Sequence, residues 1–249
     1  MGFGPPFTPP VVKRLLIALA TVFFAQFLVP IVSRLGAVVP YEVWQQGFLW
    51  QPLTYMWLHD PRGFGHILMN CFVLWMFGSP LAMAWGAQRF LRFYLVCGIG
   101  AGVLIATVPY LLYGAGIASQ YAIATHTVGA SGAIYGVILA YSLTWPDRTI
   151  MLIFPPVAFR AIWLIPALFF MSLLFGGGNV SHLGHLSGVL VGWLYLKRSG
   201  DAGGLPTLAQ LKFRWRRYRM RQKLRAVQYE DWEAKRREQD RPPEDRRFH

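Results

Sequence analysis

The chain has 249 residues, of which 55% are hydrophobic, 16% aromatic and only 14% charged, and its mean hydropathy is +0.37. A soluble domain carries about 25% charged residues, so this composition excludes a disordered chain and argues against an ordinary soluble globule. The length accommodates about six membrane spans of roughly 20 residues with short connections. The formal net charge of +13 sits mainly at the C-terminal end, where residues 197–249 hold 16 Lys/Arg against 8 Asp/Glu. Residues 1–196 hold only Glu42, Asp60 and Asp147 as acids. The two cysteines, Cys71 and Cys97, lie in apolar runs, which gives neither a disulfide framework nor a Cys-x-x-Cys metal pair.

Apolar runs predict six spans, at about 15–32, 64–85, 90–112, 128–145, 159–175 and 182–196. The first follows Lys13 and Arg14, as the core of a signal peptide would, but ends in Phe27-Leu28-Val29-Pro30 without a small-residue cleavage pattern. It is therefore read as a retained span. Basic residues set the orientation. With the N-terminus inside, the inner segments take 22 of the 24 basic residues, leaving only Arg34 and Arg62 outside. Both termini are expected inside. The fold class expected is an all-α polytopic membrane protein, a bundle of six transmembrane helices spanning 1–196, followed by a basic cytoplasmic tail at 197–249.

The first outer loop, about 33–63, is long and carries Trp44, Phe48, Trp50, Tyr55 and Trp57. Two readings stand for it: a segment lying partly in the headgroup layer, or a folded loop packed on the bundle. Pro146, Pro155 and Pro156 suit a non-helical inner connection over 146–158. The tail runs from Gly203-Gly204 through Lys212, Arg214, Arg216, Arg217, Arg219, Arg221, Lys223 and Arg225. A helix resting on anionic lipid and a solvated basic helix both fit it; nucleic acid is not the expected partner.

Polar residues inside spans are costly and mark functional candidates. The second span carries His66 and Asn70, spaced i, i+4 on one face. The fourth opens on Gly129-Ala130-Ser131-Gly132, and the sixth on His182-Leu183-Gly184-His185. These spans all start on the outer side, so His66, Asn70, Ser131 and His185 fall in one layer, within roughly 3–10 Å of their helix starts. Gly132 and Gly136 on span four, and Gly184, Gly188 and Gly192 on span six, repeat at the four-residue interval that lets membrane helices approach closely. Close approach would bring Ser131 within reach of His185, a base that can activate it. Asp147 lies on the wrong side and Glu42 and Asp60 lie in the outer loop, so a Ser–His dyad is expected rather than a triad. The Ser131 amide, at a helix N-terminus, and the His66 and Asn70 side chains are candidate donors to an oxyanion.

At these residues the sequence resembles the rhomboid intramembrane serine proteases. The pattern GxSGxxYG is met by Gly129, Ser131, Gly132, Tyr135 and Gly136; HxxGxxxG by His185, Gly188 and Gly192; and HxxxN by His66 and Asn70. The order of the three matches too, and the stretch Arg89-Phe90-Leu91-Arg92-Phe93-Tyr94 belongs to the likeness, which covers roughly 10–196. The resemblance implies Ser131 as nucleophile and His185 as general base, with His66 and Asn70 around the oxyanion. It also implies that Tyr135 packs on the His185 ring, that Gly129 lines the site, and that transmembrane proteins are cut without metal or cofactor. Two departures bear on loop anchoring or stability rather than on chemistry. Gln51 stands where many members have Arg after Trp, and Leu81-Ala82 stands where many have Glu. The positive-inside bias and the lack of an Arg-rich, Ser-rich leader favour a bacterial cytoplasmic membrane.

Two alternatives compete. His59, His66, His126, His182 and His185 all fall outside, and His182 and His185 have a metal-ligand spacing, as a metal-dependent hydrolase or transporter would use. The scarcity of core carboxylates counts against a transporter. A non-enzymatic protein that holds membrane clients is the other alternative.

Overall fold

The computed structural model describes residues 4–151, 157–175 and 181–198, together with Arg216, Arg219, Met220, Tyr229, Trp232 and Arg236; of 171–175 only the backbone is described. The chain divides into two compact units, Met1–Ala202 and Gly203–His249. In the second, Arg216, Arg219, Met220, Tyr229, Trp232 and Arg236 are helical, and the Arg236 guanidinium lies 5.3 Å from the Trp232 ring. The other tail residues named above, Lys212, Arg214, Arg217, Arg221, Lys223 and Arg225 with Gly203-Gly204, lie outside the described residues.

The first unit is built of helices. α1 spans Pro10–Leu28, five residues earlier than the apolar run suggests. Pro10 sits at its first position, where the missing amide costs nothing, and Pro30 disfavours helical backbone at Val29. Ile31–Gly36 is a separate helix, α2, followed by α3 at Pro40–Gln45, α4 at Gln51–Thr54 and a 3-10 turn at Tyr55–Trp57. α5, Phe64–Val73, passes through a π turn at Leu74–Gly78 into α6, Ser79–Trp85. Pro80 has no amide to bond the carbonyl four residues back, and the widened turn precedes it. α7 covers Ala87–Gly114 and α8 Gln120–Ala124. α9 is Ser131–Thr144, α10 Leu164–Phe175 and α11 His182–Arg198.

Three of these runs, Pro10–Leu28, Phe64–Trp85 and Ala87–Gly114, are long and apolar enough to cross a bilayer. The other three predicted spans are shorter among the described residues. α9, with 14 residues, rises about 21 Å against a hydrocarbon core of about 30 Å. It is apolar on every face and buried nearly throughout, packed between α7 and α11, which is how a helix without a polar side is stabilised.

The described residues of the connection 146–158 are not helical, as expected there. Thr149–Met151 (β1) pairs antiparallel with Ala158–Arg160 (β2), with Ile150 opposite Phe159, and Asp147 pairs with Arg160. Pro155 and Pro156 lie outside the described residues.

The outer loop folds as a set of short helices fastened to the bundle. Val38 and Thr127 exchange backbone hydrogen bonds of 2.9 Å in both directions. The fully buried Gln51 accepts from the Val39 amide at 3.0 Å and donates to Glu42 at 2.6 Å. Gln51 therefore anchors the loop with its amide, despite departing from the family pattern. Trp50 donates to the Leu35 carbonyl at 2.9 Å and stacks on Phe48. Tyr41, Trp44, Leu49, Trp50 and Leu53 remain exposed, the apolar surface expected of a segment lying at a membrane interface. Leu81 and Ala82 are buried in the apolar core, so their position asks for no carboxylate.

Candidate active site

Ser131 is the first residue of α9, and no side chain caps that helix. The first-turn amides, Ser131 among them, are left without side-chain partners at the positive end of the helix dipole, a natural place for negative charge. Because α9 starts only at Ser131, the residues before it approach that helix start in non-helical backbone. Gly129 fixes that approach: its amide donates to the Tyr55 carbonyl at 3.0 Å and its φ is +130°. A Cβ there would lie 2.9 Å from His66 Cε1 and 3.1 Å from His66 Nε2, so glycine is required twice over, for conformation and for space.

α11 meets α9 backbone to backbone. A Cβ on Gly188 would fall 1.9 Å from the Gly132 carbonyl oxygen, and one on Gly192 3.2 Å from the Gly136 Cα. The glycine spacing read from the sequence is a true helix contact. Ser181 receives the Gly184 amide on its hydroxyl at 3.1 Å and caps the start of α11. Its carbonyl accepts from the His185 amide at 3.2 Å.

The His185 ring lies flat on Tyr135, with centroids 4.1 Å apart and planes 13° from parallel. Tyr135 is one turn after Ser131, so both point from the same face of α9. His185 is thus held against the face that carries Ser131. No hydrogen bond joins the Ser131 hydroxyl to the ring among the described residues; such bonds often close only around substrate. His185 Nδ1 is buried without a hydrogen-bond partner. Among the described residues no carboxylate bonds the ring, and the Tyr135 face packs flat against it.

Asn70 Nδ2 lies 3.9 Å from where a Cβ on Gly129 would stand, beside His66. All six residues singled out from the sequence, Ser131, His185, His66, Asn70, Gly129 and Tyr135, thus belong to the surroundings of one helix N-terminus. Among the described residues no group of three His, Cys, Asp or Glu side chains is placed to hold a metal ion. His59 and His66 are neighbours, with ring centroids 5.2 Å apart and edge to face, and His59 Nε2 meets the Asn70 amide.

Sequence reasoning passed over Gln26 and weighed His59 only as a metal ligand. His59 is fully buried, and its Nε2 lies 3.0 Å from Asn70 Nδ2. Gln26, on α1, donates to the His59 carbonyl at 2.8 Å and accepts from the His59 amide at 3.0 Å. Burial, with a smaller contribution from His66, lowers the His59 pKa from 6.5 to about 3, so the ring is neutral at ordinary pH. Asp60, next in sequence, is held below the usual carboxylate range by its hydrogen bonds from Arg62.

Comparison with known proteins shows the family. Residues 46–198 match the Rhomboid domain family. The chain is 31% identical over 139 residues to Rhomboid protein 1, mitochondrial, of Saccharomyces cerevisiae, covering 53% of this chain and 37% of that protein. It is 31% identical over 135 residues to the human Presenilin-associated rhomboid-like protein, mitochondrial, covering 53% and 33%. It is 34% identical over 106 residues to RHOMBOID-like protein 6, mitochondrial, of Arabidopsis thaliana, covering 43% and 30%. The chain spans about a third of the length of these curated relatives. Their mitochondrial names lend no support to the bacterial cytoplasmic membrane expected from the sequence; the apolar helices and the family match support an integral membrane protein. With an uncapped helix opening on Ser131, a histidine stacked one turn below it and a matched domain that contains both, the chain belongs to the rhomboid family.

Proposed function

We propose that the protein is an intramembrane serine endopeptidase that cuts transmembrane proteins with the dyad Ser131–His185. The observation that carries this reading is the seating of His185 on Tyr135, on the α9 face that Ser131 shares. The Ser131 hydroxyl adds to the scissile carbonyl and its proton passes to the His185 ring. The tetrahedral oxyanion takes hydrogen bonds from the Ser131 amide, His66 and Asn70. His185 returns the proton to the leaving amine, and the C–N bond breaks to leave an ester on Ser131. Water then attacks that ester, His185 takes the water's proton, and the acid product leaves as the serine hydroxyl is restored. The substrate must present an unwound stretch, because a helix keeps its carbonyls bonded within itself.

The site faces the outer side, with both termini inside, as the distribution of basic residues favours. The basic tail is assigned to the inner surface, where each basic residue near anionic lipid contributes about 1 kcal/mol. The reaction as written uses no metal or cofactor, and nucleic acid is not among the partners.

The test is labelling of the detergent-solubilised protein with a fluorophosphonate, beside cleavage of a model transmembrane substrate. Wild type is expected to label and cleave, indifferent to chelator, while Ser131→Ala and His185→Ala do neither. Cleavage that persists in Ser131→Ala, or stops with chelator, overturns the dyad. Capture of the substrate without cleavage or labelling in wild type would make this a client-holding protein instead.

A further inference from the structure

The buried His59 has no part in the reaction as written, yet both its backbone and its ring are held by named partners. Its backbone is clamped on both sides by one side chain: Gln26 Nε2 donates to its carbonyl at 2.8 Å and Gln26 Oε1 receives its amide at 3.0 Å. The same Gln26 amide nitrogen donates to Ser33 at 2.8 Å, so α1 and α2 hold this point of the loop together. The imidazole is fully buried and ends 3.0 Å from the Asn70 amide nitrogen. Its Nδ1 is buried without a hydrogen-bond partner. Burying a polar ring is costly unless its nitrogens are bonded, and an apolar ring would serve packing alone better. The ring has two polar neighbours, the Trp57 backbone and the Asn70 amide, and only the second leads to the site.

Resting on the proteolytic reading above, we propose that His59 is a positioning residue for the oxyanion donor Asn70, with Gln26 fixing His59 in turn. The Asn70 amide nitrogen carries two hydrogens. One donates to His59 Nε2, which fixes the amide plane and denies the side chain its other rotamers. The second then points away from His59, toward the Gly129 side of the site, where the amide nitrogen lies 3.9 Å from the Gly129 Cβ direction. The acceptor must be neutral to play this part. A protonated imidazole would turn a donor toward the amide and force Asn70 to present its oxygen instead, leaving the nitrogen unanchored. The burial that keeps His59 uncharged is thus part of the device. The ring stands 5.2 Å from His66, so one buried loop residue touches both side-chain donors of the proposed oxyanion site.

A double-mutant cycle tests the proposal. His59→Phe keeps the ring volume and removes the acceptor. It is expected to lower kcat about tenfold while KM stays within about twofold, since an oxyanion donor is used in the transition state and not in substrate binding. In an Asn70→Ala background the same substitution is expected to change kcat less than about twofold, because its partner is already gone. His59→Gln, which offers an oxygen acceptor, is expected to recover kcat to within about threefold of wild type. Additive losses, or a loss confined to KM, would overturn the proposal in favour of a packing role. His59→Met carries the same cycle if His59→Phe does not fold.

A second readout needs no turnover. In wild type one side-chain amide proton of Asn70 is expected to be shifted by the imidazole and protected from exchange, and to lose both properties in His59→Phe. An Asn70 amide that is indifferent to the substitution overturns the positioning role. If wild type neither labels nor cleaves, the proteolytic reading fails by itself, and the amide proton still decides whether His59 holds Asn70.

Discussion

Two regions deliver residues to the same point by opposite means. The contact between α9 and α11 is made chiefly by glycine against backbone, and it sets the His185 ring on Tyr135 of Ser131's helix. The outer loop and the start of α5 are held by directed bonds: Val38 with Thr127, Gln51 with Val39 and Glu42, and Gln26 with His59. The first contact works by the absence of atoms and fails when any are added. The second works by the presence of particular atoms and fails when they are removed. In lipid the first kind is natural, since apolar helices gain little from simply touching and must come close to gain dispersion and packing. Loop segments, with no helix to satisfy their backbone, need the second.

The largest expected effect comes from adding one methyl group to the glycine contact. Gly188→Ala places a Cβ against the Gly132 backbone, which has no flexible end to move aside, so the helices must separate. We expect loss of labelling and a fall in stability of about 3 kcal/mol or more, seen in thermal unfolding in detergent. Gly192→Ala meets its nearest backbone atom at 3.2 Å and is expected to cost less, with labelling retained in part. Equal effects at the two positions would mean that the helices are not in backbone contact.

Next comes removal of atoms from the loop. Gln51→Leu keeps the bulk but leaves the Val39 amide and the Glu42 carboxylate short of a partner. It is expected to cost about 1–3 kcal/mol and to loosen the loop toward proteolysis. A variant as stable as wild type would show that the departure at this position is passive.

Acid should act on the loop before the glycine contact. The His59 pKa is lowered from 6.5 to about 3 by folding, so its stabilisation is complete above about pH 6.5 and is lost as pH falls toward 3. In that window each pH unit costs about 1.4 kcal/mol. The neighbouring Asp60, also lowered, acts with the same sign further down, while His66 is the titratable ring facing His59. Melting temperatures from pH 7.5 to 4.5 are expected to fall in wild type and to fall less steeply in His59→Gln. Parallel slopes would assign the acid sensitivity elsewhere. The smallest effect is expected from Trp50→Phe, which keeps the stack on Phe48 and gives up one exposed hydrogen bond worth about 0.5 kcal/mol.

The same contrast explains what could be read from the sequence. The apolar runs were legible because burial in lipid imposes composition, and the glycine contact because its spacing follows the helix period. Ser131, His185, His66 and Asn70 were legible as costly groups at matching depth. Their helix ends were less so: the first run was displaced because Pro10 and Pro30, rather than hydropathy, set the limits of α1. The shortness of α9 was hidden because Val128-Gly129-Ala130 is apolar enough to extend the run while being conformationally unable to join the helix. Gln26 was not legible at all, Gln51 was noticed only as a departure from the family pattern, and His59 only as a possible metal ligand. Their partners lie 33, 12 and 11 residues away, and no local pattern marks a polar side chain whose only signal is the distant group it meets.

The π turn between α5 and α6 has a consequence for how this span tolerates insertion and deletion. Five residues, Leu74–Gly78, are wound wider than the helix on either side, which amounts to one extra residue in an otherwise regular run. An α-helix turns about 100° per residue, so that single residue resets the angular phase between the outer half, with His66 and Asn70, and the inner half, with Leu81 and Ala82. Removing one residue within 74–78 would let the run close into a continuous α-helix and swing one half about 100° relative to the other. Such a deletion leaves hydropathy and span length almost unchanged, yet cannot keep the polar pair facing Gly129 and Leu81 facing the core together. In this segment the count of residues is itself a functional determinant, separate from their identity.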